Sequence, residues 1–444
     1  MTAVAGILNK RGIAIAADSA VTMNRDGREK IANSANKMLR LSSANPISVM
    51  ITGCADFIMT PWDIIIRRYR QKRGEQLFST VEACVEDFFA YIPTEKMFLP
   101  DDSGRKFLKK QLSIFWTKTI RTVPNLEIDK DSCTVTNDEA ILEEFHRRFK
   151  TGIEDFRPCG TMPMFQDYSL EQFKVFLGDM VDRLLEEKTI DEDLFVFGLD
   201  DDVAPNEYTK DILDQIKDEL TECFYYYVTS RWFDRCTDLI FSGFGEDEEY
   251  PVLIRAIVKE GFDGRVCYYI NEDDIHKISD KNPVAICSYA QDDIMEALLT
   301  GIHPDFYNAL FDETKHAFYN FTSHICSEAT DDFESYSKLM PILEKVRFKD
   351  LIRLSRKFSD KLRQAEKNQW LKALYDYDLQ AMAKLAENLI AMTGFERHMT
   401  FSDEGVGGPV DVAVITKHNG FTWLNRKSWY HHKDVAGLYG KFGV

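Results

Sequence analysis

The sequence predicts an α+β fold in which long helical segments interrupt one strand-rich domain. Apolar, strand-like segments stand at both ends and in the middle of the chain, and two tracts with helical periodicity separate them. No internal repeat or low-complexity linker divides the 444 residues into independent units. The strand segments are therefore expected to meet in one core, although they are far apart in the sequence.

The first two predicted strands are TAVAGILN and GIAIAAD, joined at KRG. A three-residue loop with a glycine places Asn9 opposite Ile13 and Val4 opposite Asp18, whereas an even-length loop shifts this pairing by one residue. Both segments are apolar on both faces, which is typical of strands in a sheet covered on each side. KMLRLS and ISVMITG form a second predicted pair with a turn at Asn-Pro.

Helical periodicity begins at Asp56, where DFIMTPWDIIIRRYRQKR and STVEACVEDFFAYI are predicted helices. A late helix is predicted to end at Gly394, and an Asn-Gly turn indicates a hairpin after it. The further predicted strands are TDLIFSGFG, YPVLIRAIV, GRVCYYI, PVAICSYA, PVDVAVIT and FTWL. The predicted organisation is a core in three pieces, with helical insertions between them: core 1–94, insertion 95–235, core 236–300, insertion 301–372 and core 373–444.

The charge and the cysteines limit the classes of partner. The chain carries 55 basic and 73 acidic residues, a formal charge of −18, which argues against nucleic acid and anionic membranes as partners. Nine scattered cysteines without a C-x-x-C pair indicate reduced thiols and a cytoplasmic location. We see no apolar run of about 20 residues and no secretory signal.

Thr2 suggests a specific chemistry if Met1 is removed. An N-terminal threonine carries a hydroxyl nucleophile and, in its own α-amine, a base. The amine has an ordinary pKa of about 7.7–8.0 and can therefore accept the hydroxyl proton near neutral pH. Thr2 alone does not establish this role, since many proteins begin Met-Thr.

Three blocks extend the pattern, namely TAVAGILNKRGIAIAADSAVT, KMLRLSSANPISVMITGCAD and FSDEGVGGPVDVAVITKHNGFTWL. In these blocks and their order the chain resembles the β-type subunits of the proteasome and their bacterial HslV relatives, which are N-terminal nucleophile hydrolases. The spacing of Thr2 and Asp18 equals that of the family. The resemblance implies a four-layer αββα sandwich with two long helical insertions.

The resemblance also implies roles for individual residues. Thr2 corresponds to the nucleophile and base, and Asp18 to the carboxylate that orients a catalytic lysine. Lys37 matches that lysine, with Lys30 as a competitor, and its charge would lower the proton affinity of the threonine hydroxyl and amine.

The turn ITGCAD corresponds to the oxyanion site. The family has two adjacent glycines here, the first of which donates its backbone N–H, whereas this chain has Thr52 and Gly53. A backbone N–H near Gly53 is expected to hold the oxyanion. Met50 matches a residue of the first specificity pocket, which suggests an apolar side chain before the scissile bond.

Two late residues match groups that support the threonine amine. Ser288, in AICSYAQ, corresponds to a supporting serine, and Asp403, in SDEGVGG, corresponds to a second supporting carboxylate. The serine that the family has three residues after this carboxylate is Val406 here.

The function implied by the resemblance is a threonine peptidase that needs no metal or organic cofactor. Two alternatives stay open: a small-molecule amidase with the same nucleophile, and an inactive scaffold with the same fold. Because relatives act inside rings fed by a separate ATPase, the expected partners are peptide or unfolded protein substrates, further copies of this chain, and a separate ATPase or adaptor.

Overall fold

The fold is α+β with antiparallel sheets, in agreement with the predicted class. The computed structural model describes residues 3–25, 28–32, 35–100, 102–121, 123, 128–129, 134–135, 137–189, 208–232, 236–290, 293–329, 357, 361, 364–399 and 406–427.

The first main sheet brings the N-terminal hairpin together with strands from the middle and the end of the chain. Its strands are β1 (Ala3–Asn9), β2 (Gly12–Ala17), β14 (Val284–Ala290), β15 (Asp411–Thr416) and β16 (Gly420–Asn425). Their order is β14-β1-β2-β15-β16, and every neighbouring pair is antiparallel. The start of β1 and the end of β2 therefore lie at the same end of the sheet, beside the start of β15.

The second main sheet has the order β13-β12-β11-β6-β5 and is also antiparallel. Its strands are β5 (Met38–Arg40), β6 (Ile47–Gly53), β11 (Thr237–Gly243), β12 (Val252–Phe262) and β13 (Arg265–Lys277). Three small pairs complete the described strands: β3 (Val21–Arg25) with β4 (Arg28–Ala32), β7 (Asp56–Phe57) with β8 (Thr60–Pro61), and β9 (Ile128–Asp129) with β10 (Thr134–Val135).

The helices flank the sheets or form the predicted insertions. In chain order they are α1 (Trp62–Arg73), α2 (Val81–Tyr91), α3 (Ser103–Ile120), α4 (Asp138–Phe156), α5 (Leu170–Leu177), α6 (Met180–Glu186), α7 (Lys210–Thr229), α8 (Asp293–Thr300), α9 (Pro304–Ala329), α10 (364–376) and α11 (Leu379–Met399). Local sequence accounts for α2, for example: Thr80 caps its first turn by accepting a hydrogen bond from the Ala83 N–H, and its apolar residues recur at helical spacing on the buried face.

Three hydrophobic cores lie across the two main sheets. One face of the first sheet packs against α8, α10 and α11, and its other face packs against the second sheet. The far face of the second sheet packs against α1 and α2. β1 and β2 are buried at every position because both of their faces are covered, as their apolar sequences predict.

The predicted insertion at 95–235 contains α3 to α7 and has a core of its own. Large aromatic side chains dominate this core, among them Trp116, Phe145 and Tyr208. Phe262 and Cys267 of the second sheet belong to the same core, and α3 lies against β12. The insertion is therefore packed onto the sheet at the end where β12 turns into β13.

The three-residue loop predicted for the first hairpin is wrong. Asn9 pairs with Gly12 and Val4 pairs with Ala17, so the loop contains only two residues. β15 approaches Gly12 so closely that a Cβ there would lie 2.5 Å from the Ile415 carbonyl oxygen, which explains why this strand position is a glycine. The alternative of an even-length loop, which the sequence left open, is therefore the correct one.

Two predicted helix boundaries are also wrong. The helix expected from Asp56 begins at Trp62, after the β7–β8 hairpin, because Pro61 disfavours helical backbone at the residue before it. The late helix continues past Gly394 to Met399. An internal helical glycine costs only about 1 kcal/mol, so Gly394 does not have to end the helix.

Candidate active site

Asp18 lies at the end of β2 and is the centre of a buried polar cluster. The residue is 1% exposed. Its Oδ1 accepts hydrogen bonds from the Ala3 N–H (2.9 Å) and Lys37 Nζ (2.6 Å), and its Oδ2 accepts from the Ala20 N–H (3.1 Å) and the Gly407 N–H (3.2 Å). The carboxylate thus joins the start of β1, the approach to β5 and the segment before β15. A buried carboxylate requires such a set of donors, because an unpaired charge there is very costly.

Lys37 contacts Asp18, as predicted, and is itself only 5% exposed. Burial lowers the pKa of Lys37 from its ordinary value of 10.5; the Asp18 carboxylate opposes this shift, and the positive charge of Lys427 adds to it. Lys37 is therefore a lysine that releases its proton more readily than an exposed one.

A second buried ion pair lies beside the first, and the sequence did not predict it. Lys427 follows β16 and pairs with Asp411, and their side chains are 6% and 4% exposed. Lys427 Nζ also donates to Ser19 Oγ (2.9 Å) and to the Ala35 carbonyl oxygen (2.6 Å). All three ammonium protons thus have acceptors. No local pattern marks Lys427, because its partners are distant in the sequence.

Gly53 ends β6 in a conformation that requires glycine. Its φ is 80°, and a Cβ at this position would lie 2.3 Å from the Cys236 carbonyl oxygen. The residue is exposed, unlike the rest of β6. The sequence therefore keeps glycine here for backbone conformation and for the close approach of β11.

Strand alternation assigns the exposed donor to Gly53 and not to Thr52. The Ile51 N–H bonds the Lys37 carbonyl on one side of β6, and the Cys54 N–H bonds the Cys236 carbonyl on the other. In a ladder, successive residues point alternately to the two sides. The Thr52 N–H therefore points towards β11, and the Gly53 N–H points to the side on which Lys37 lies.

The side chain of Thr52 is also held towards β11, away from Lys37. Its Oγ1 donates to Asp238 Oδ2 (3.3 Å), which also accepts from Arg255 Nη2 (2.9 Å). Burial lowers the pKa of the Arg255 guanidinium, but Asp238 and Asp274 outweigh that effect and raise it overall. This network fixes the end of β6 against β11.

Two predicted site residues lie away from the Asp18–Lys37 pair. Met50 is fully buried in the core between the two sheets, so a role in recognising a substrate side chain would require this core to open. Ser288 pairs with Ala5, whereas Ala290 pairs with Ala3. Two strand residues, about 7 Å, therefore separate Ser288 from the Ala3–Asp18 contact along the strand. Both roles stay predictions.

The structure describes only some of the remaining predicted positions. Thr2 and Asp403 lie outside the described residues. Lys30, the competitor of Lys37, pairs with Met23 in the β3–β4 hairpin. Val406, at the position of the family's serine, is buried against the helices that cover the first sheet.

A cleft of about 630 Å³ begins directly after Gly53 and runs between the sheet and α3. One stripe of α3 forms a wall, with Phe107, Lys110, Gln111, Ile114 and Lys118. Cys54, Asp56 and Cys236 lie on the side of the sheet, with Lys259 and Glu260 of β12. At 1.5 Å per helical residue the stripe from Phe107 to Lys118 is about 16 Å long.

The thiol of Cys236 in this cleft favours its protonated form. Burial, together with the nearby Asp238 carboxylate, raises the pKa of its thiol to about 11. Thiolate is the reactive form of cysteine, so little of it is present at neutral pH.

Asp18 also borders a second cavity, of about 470 Å³, on the side of the first sheet that faces α11. Ile390, Gly394 and Phe395 of α11 line it, opposite Gly407 and Gly408.

Among the described residues, no group of three or more His, Cys, Asp or Glu side chains is arranged to hold a metal ion. Within the same residues, no helix has the length and apolar character needed to cross a membrane.

No protein-family model matches the chain, and no curated protein matches it.

Proposed function

We propose that the protein is a peptidase whose nucleophile is Thr2, acting as the first residue of the mature chain. The observation that carries the proposal is the contact of Asp18 with both the Ala3 N–H and Lys37 Nζ. Ala3 is bonded directly to Thr2. A carboxylate and a lysine thus converge, in a buried environment, within one residue of the proposed nucleophile.

In the proposed reaction the Thr2 hydroxyl oxygen attacks the carbonyl carbon of a peptide bond, and the free α-amine takes the hydroxyl proton. The tetrahedral intermediate collapses, the C–N bond breaks, and the amine returns the proton to the leaving nitrogen. Water then attacks the resulting ester, again with the amine as base, and releases the acid and the threonine hydroxyl.

The buried ion pair supplies the electrostatics of this scheme. Protonated Lys37 lowers the proton affinity of the nearby hydroxyl and amine, and Asp18 fixes the ammonium group in place. The Gly53 N–H, on the same side of β6 as Lys37, is the proposed donor to the oxyanion.

The shape of the cleft favours a peptide over a small-molecule substrate. Its wall on α3 is about 16 Å long, enough for roughly five extended residues at 3.3 Å each. The cleft begins at Cys54, on the β11 side of β6, so a chain that leaves it past Gly53 would reach the side of β6 on which Lys37 and the proposed oxyanion donor lie.

The finer fold assignment belongs to the same proposal. We infer that the two main sheets, with α1 and α2 on one side and α8, α10 and α11 on the other, form the αββα sandwich of N-terminal nucleophile hydrolases. The stacked cores support this inference, since each sheet shares one core with helices and another with the opposite sheet.

The test compares the wild type with Thr2→Ala and Thr2→Ser on unfolded protein and fluorogenic peptides. We expect Thr2→Ala to lose hydrolysis and Thr2→Ser, which keeps a hydroxyl and an α-amine, to retain a measurable part of it. Hydrolysis of simple amides but not of peptides would favour the amidase alternative. Equal activity in wild type and Thr2→Ala would contradict the proposal, and a wild type inactive on every substrate would favour the scaffold.

A further inference from the structure

The pairing of β6 with the chain at β5 stops two residues short of Gly53. The Ile51 N–H donates to the Lys37 carbonyl, and the next residue of β6 that points to this side, Gly53, would lie opposite Ala35 if the pairing continued. Ala35 directs its backbone elsewhere: its N–H bonds the Ser19 carbonyl at 3.1 Å, and its carbonyl accepts from Lys427 Nζ at 2.6 Å. The acceptor that would complete the ladder is therefore engaged by Lys427.

Lys427 is itself held firmly in this position. Asp411 Oδ1 accepts from the Lys427 backbone N–H at 2.8 Å, and Asp411 Oδ2 accepts from the ammonium group. The ammonium also reaches Ser19, the residue that binds the Ala35 N–H through its carbonyl. Asp411 begins β15, so the contact is anchored in the first main sheet while it acts on the edge of the second.

We propose that Lys427, held by Asp411, is a positioning residue that keeps Ala35 away from β6 and so leaves the Gly53 N–H available to a ligand. The catalytic consequence, an open oxyanion donor, rests on the function proposed above. The structural consequence does not: without Lys427 the Ala35 carbonyl is free to accept the Gly53 N–H and extend the ladder.

The direct test is amide hydrogen exchange at Gly53, followed by NMR on protein labelled with nitrogen-15 glycine. Lys427→Met removes the ammonium, and the double variant Lys427→Met/Asp411→Leu avoids leaving a buried aspartate unpaired, so that at least one variant folds. We expect Gly53 exchange to be about five- to tenfold slower in the folded variants, the protection that one new hydrogen bond supplies.

A matched control is Lys417→Met, at the turn between β15 and β16. Lys417 forms an exposed ion pair with Glu249 at 3.1 Å and follows the end of β15 opposite to Asp411. We expect this variant to leave Gly53 exchange as in the wild type. Unchanged exchange in both folded Lys427 variants would overturn the inference, as would an equal slowing in Lys417→Met.

Peptide hydrolysis provides the second readout and separates the two proposals. If Gly53 is the oxyanion donor, turnover in the Lys427 variants should fall by about 10²–10³-fold, with KM changed much less. Slower exchange in the variants of a wild type that hydrolyses nothing would support the positioning role and contradict the peptidase. If the wild type hydrolyses peptides but Gly53 exchange is unchanged in the Lys427 variants, the peptidase is supported and the positioning role is contradicted.

Discussion

The polar end of the main sheets and the core of the helical insertion are both deeply buried, but they contain different kinds of side chain. Around β1 and β2 the helix-facing side chains are small, and two ion pairs, Asp18–Lys37 and Asp411–Lys427, lie at one end. The insertion is packed with large aromatic rings such as Trp116 stacked on Phe145. Truncating an apolar side chain leaves a cavity, whereas removing one partner of a buried ion pair leaves an unpaired charge. The difference suggests that the sheets carry chemistry and that the insertion provides a wall for the cleft.

The largest effect is expected from Asp18→Asn, which leaves Lys37 buried without its counter-charge. Removing one partner of a buried pair costs about 3–5 kcal/mol in the free energy of unfolding. Urea denaturation measures this loss, and peptide hydrolysis should disappear with it. In the double variant Asp18→Asn/Lys37→Met, which leaves no unpaired charge and keeps an oxygen acceptor for the backbone N–H groups, part of the stability should return and the hydrolysis should not. Recovery of activity together with stability would show that the pair has only a structural role.

A smaller and functionally separate effect is expected in the insertion. Ile141 is fully buried in the aromatic core, and Ile141→Ala should cost about 2–4 kcal/mol through lost apolar contact and the cavity left behind. At a temperature where the variant is folded, covalent labelling of Thr2 by a small probe should match the wild type. A loss of labelling would mean that the insertion acts on the site itself and not only on the cleft.

Gly53→Ala tests the turn at the end of β6, between the polar end of the main sheets and the cleft beside the insertion. The positive φ and the contact with the Cys236 carbonyl predict a loss of about 1–3 kcal/mol by urea denaturation. The exposed Gly264, with φ 69° and open space around it, offers a matched control that carries the conformational penalty without the close contact. A loss in Gly53→Ala no greater than in Gly264→Ala would show that the approach of β11 is unimportant.

The smallest expected effect is a shift in pH dependence. If protonated Lys37 is required, the rate should fall as the pH rises through its lowered pKa, below the ordinary 10.5. Lys427→Met removes a positive charge that lowers this pKa, so the alkaline limb of kcat/KM, measured on the residual activity, should move to higher pH. If the alkaline limb does not move in Lys427→Met, the group that titrates there is not Lys37.

The sequence was sufficient for features that local patterns determine. Fully apolar strands predicted a sheet covered on both faces, and the resemblance brought Asp18 and Lys37 together, which lie 2.6 Å apart. The two-residue loop at KRG places Gly12 in β2, where Ile415 of β15, far away in the sequence, leaves no room for a side chain. Nothing in the sequence around Lys427 marks it, because its contacts with β15, Ser19 and Ala35 form only in the folded protein. Contacts of this kind are set by the assembled sheets, and no short pattern contains them.

Thr2, with a free α-amine, is the proposed nucleophile. The most direct measurement is mass spectrometry of the wild-type protein before and after an epoxyketone probe, which requires both the hydroxyl and the amine. We expect an intact mass without Met1 and a single adduct that maps to Thr2 and is absent in Thr2→Ala. A chain that retains Met1, or one that has lost it and forms no adduct at Thr2, would rule out Thr2 as the nucleophile.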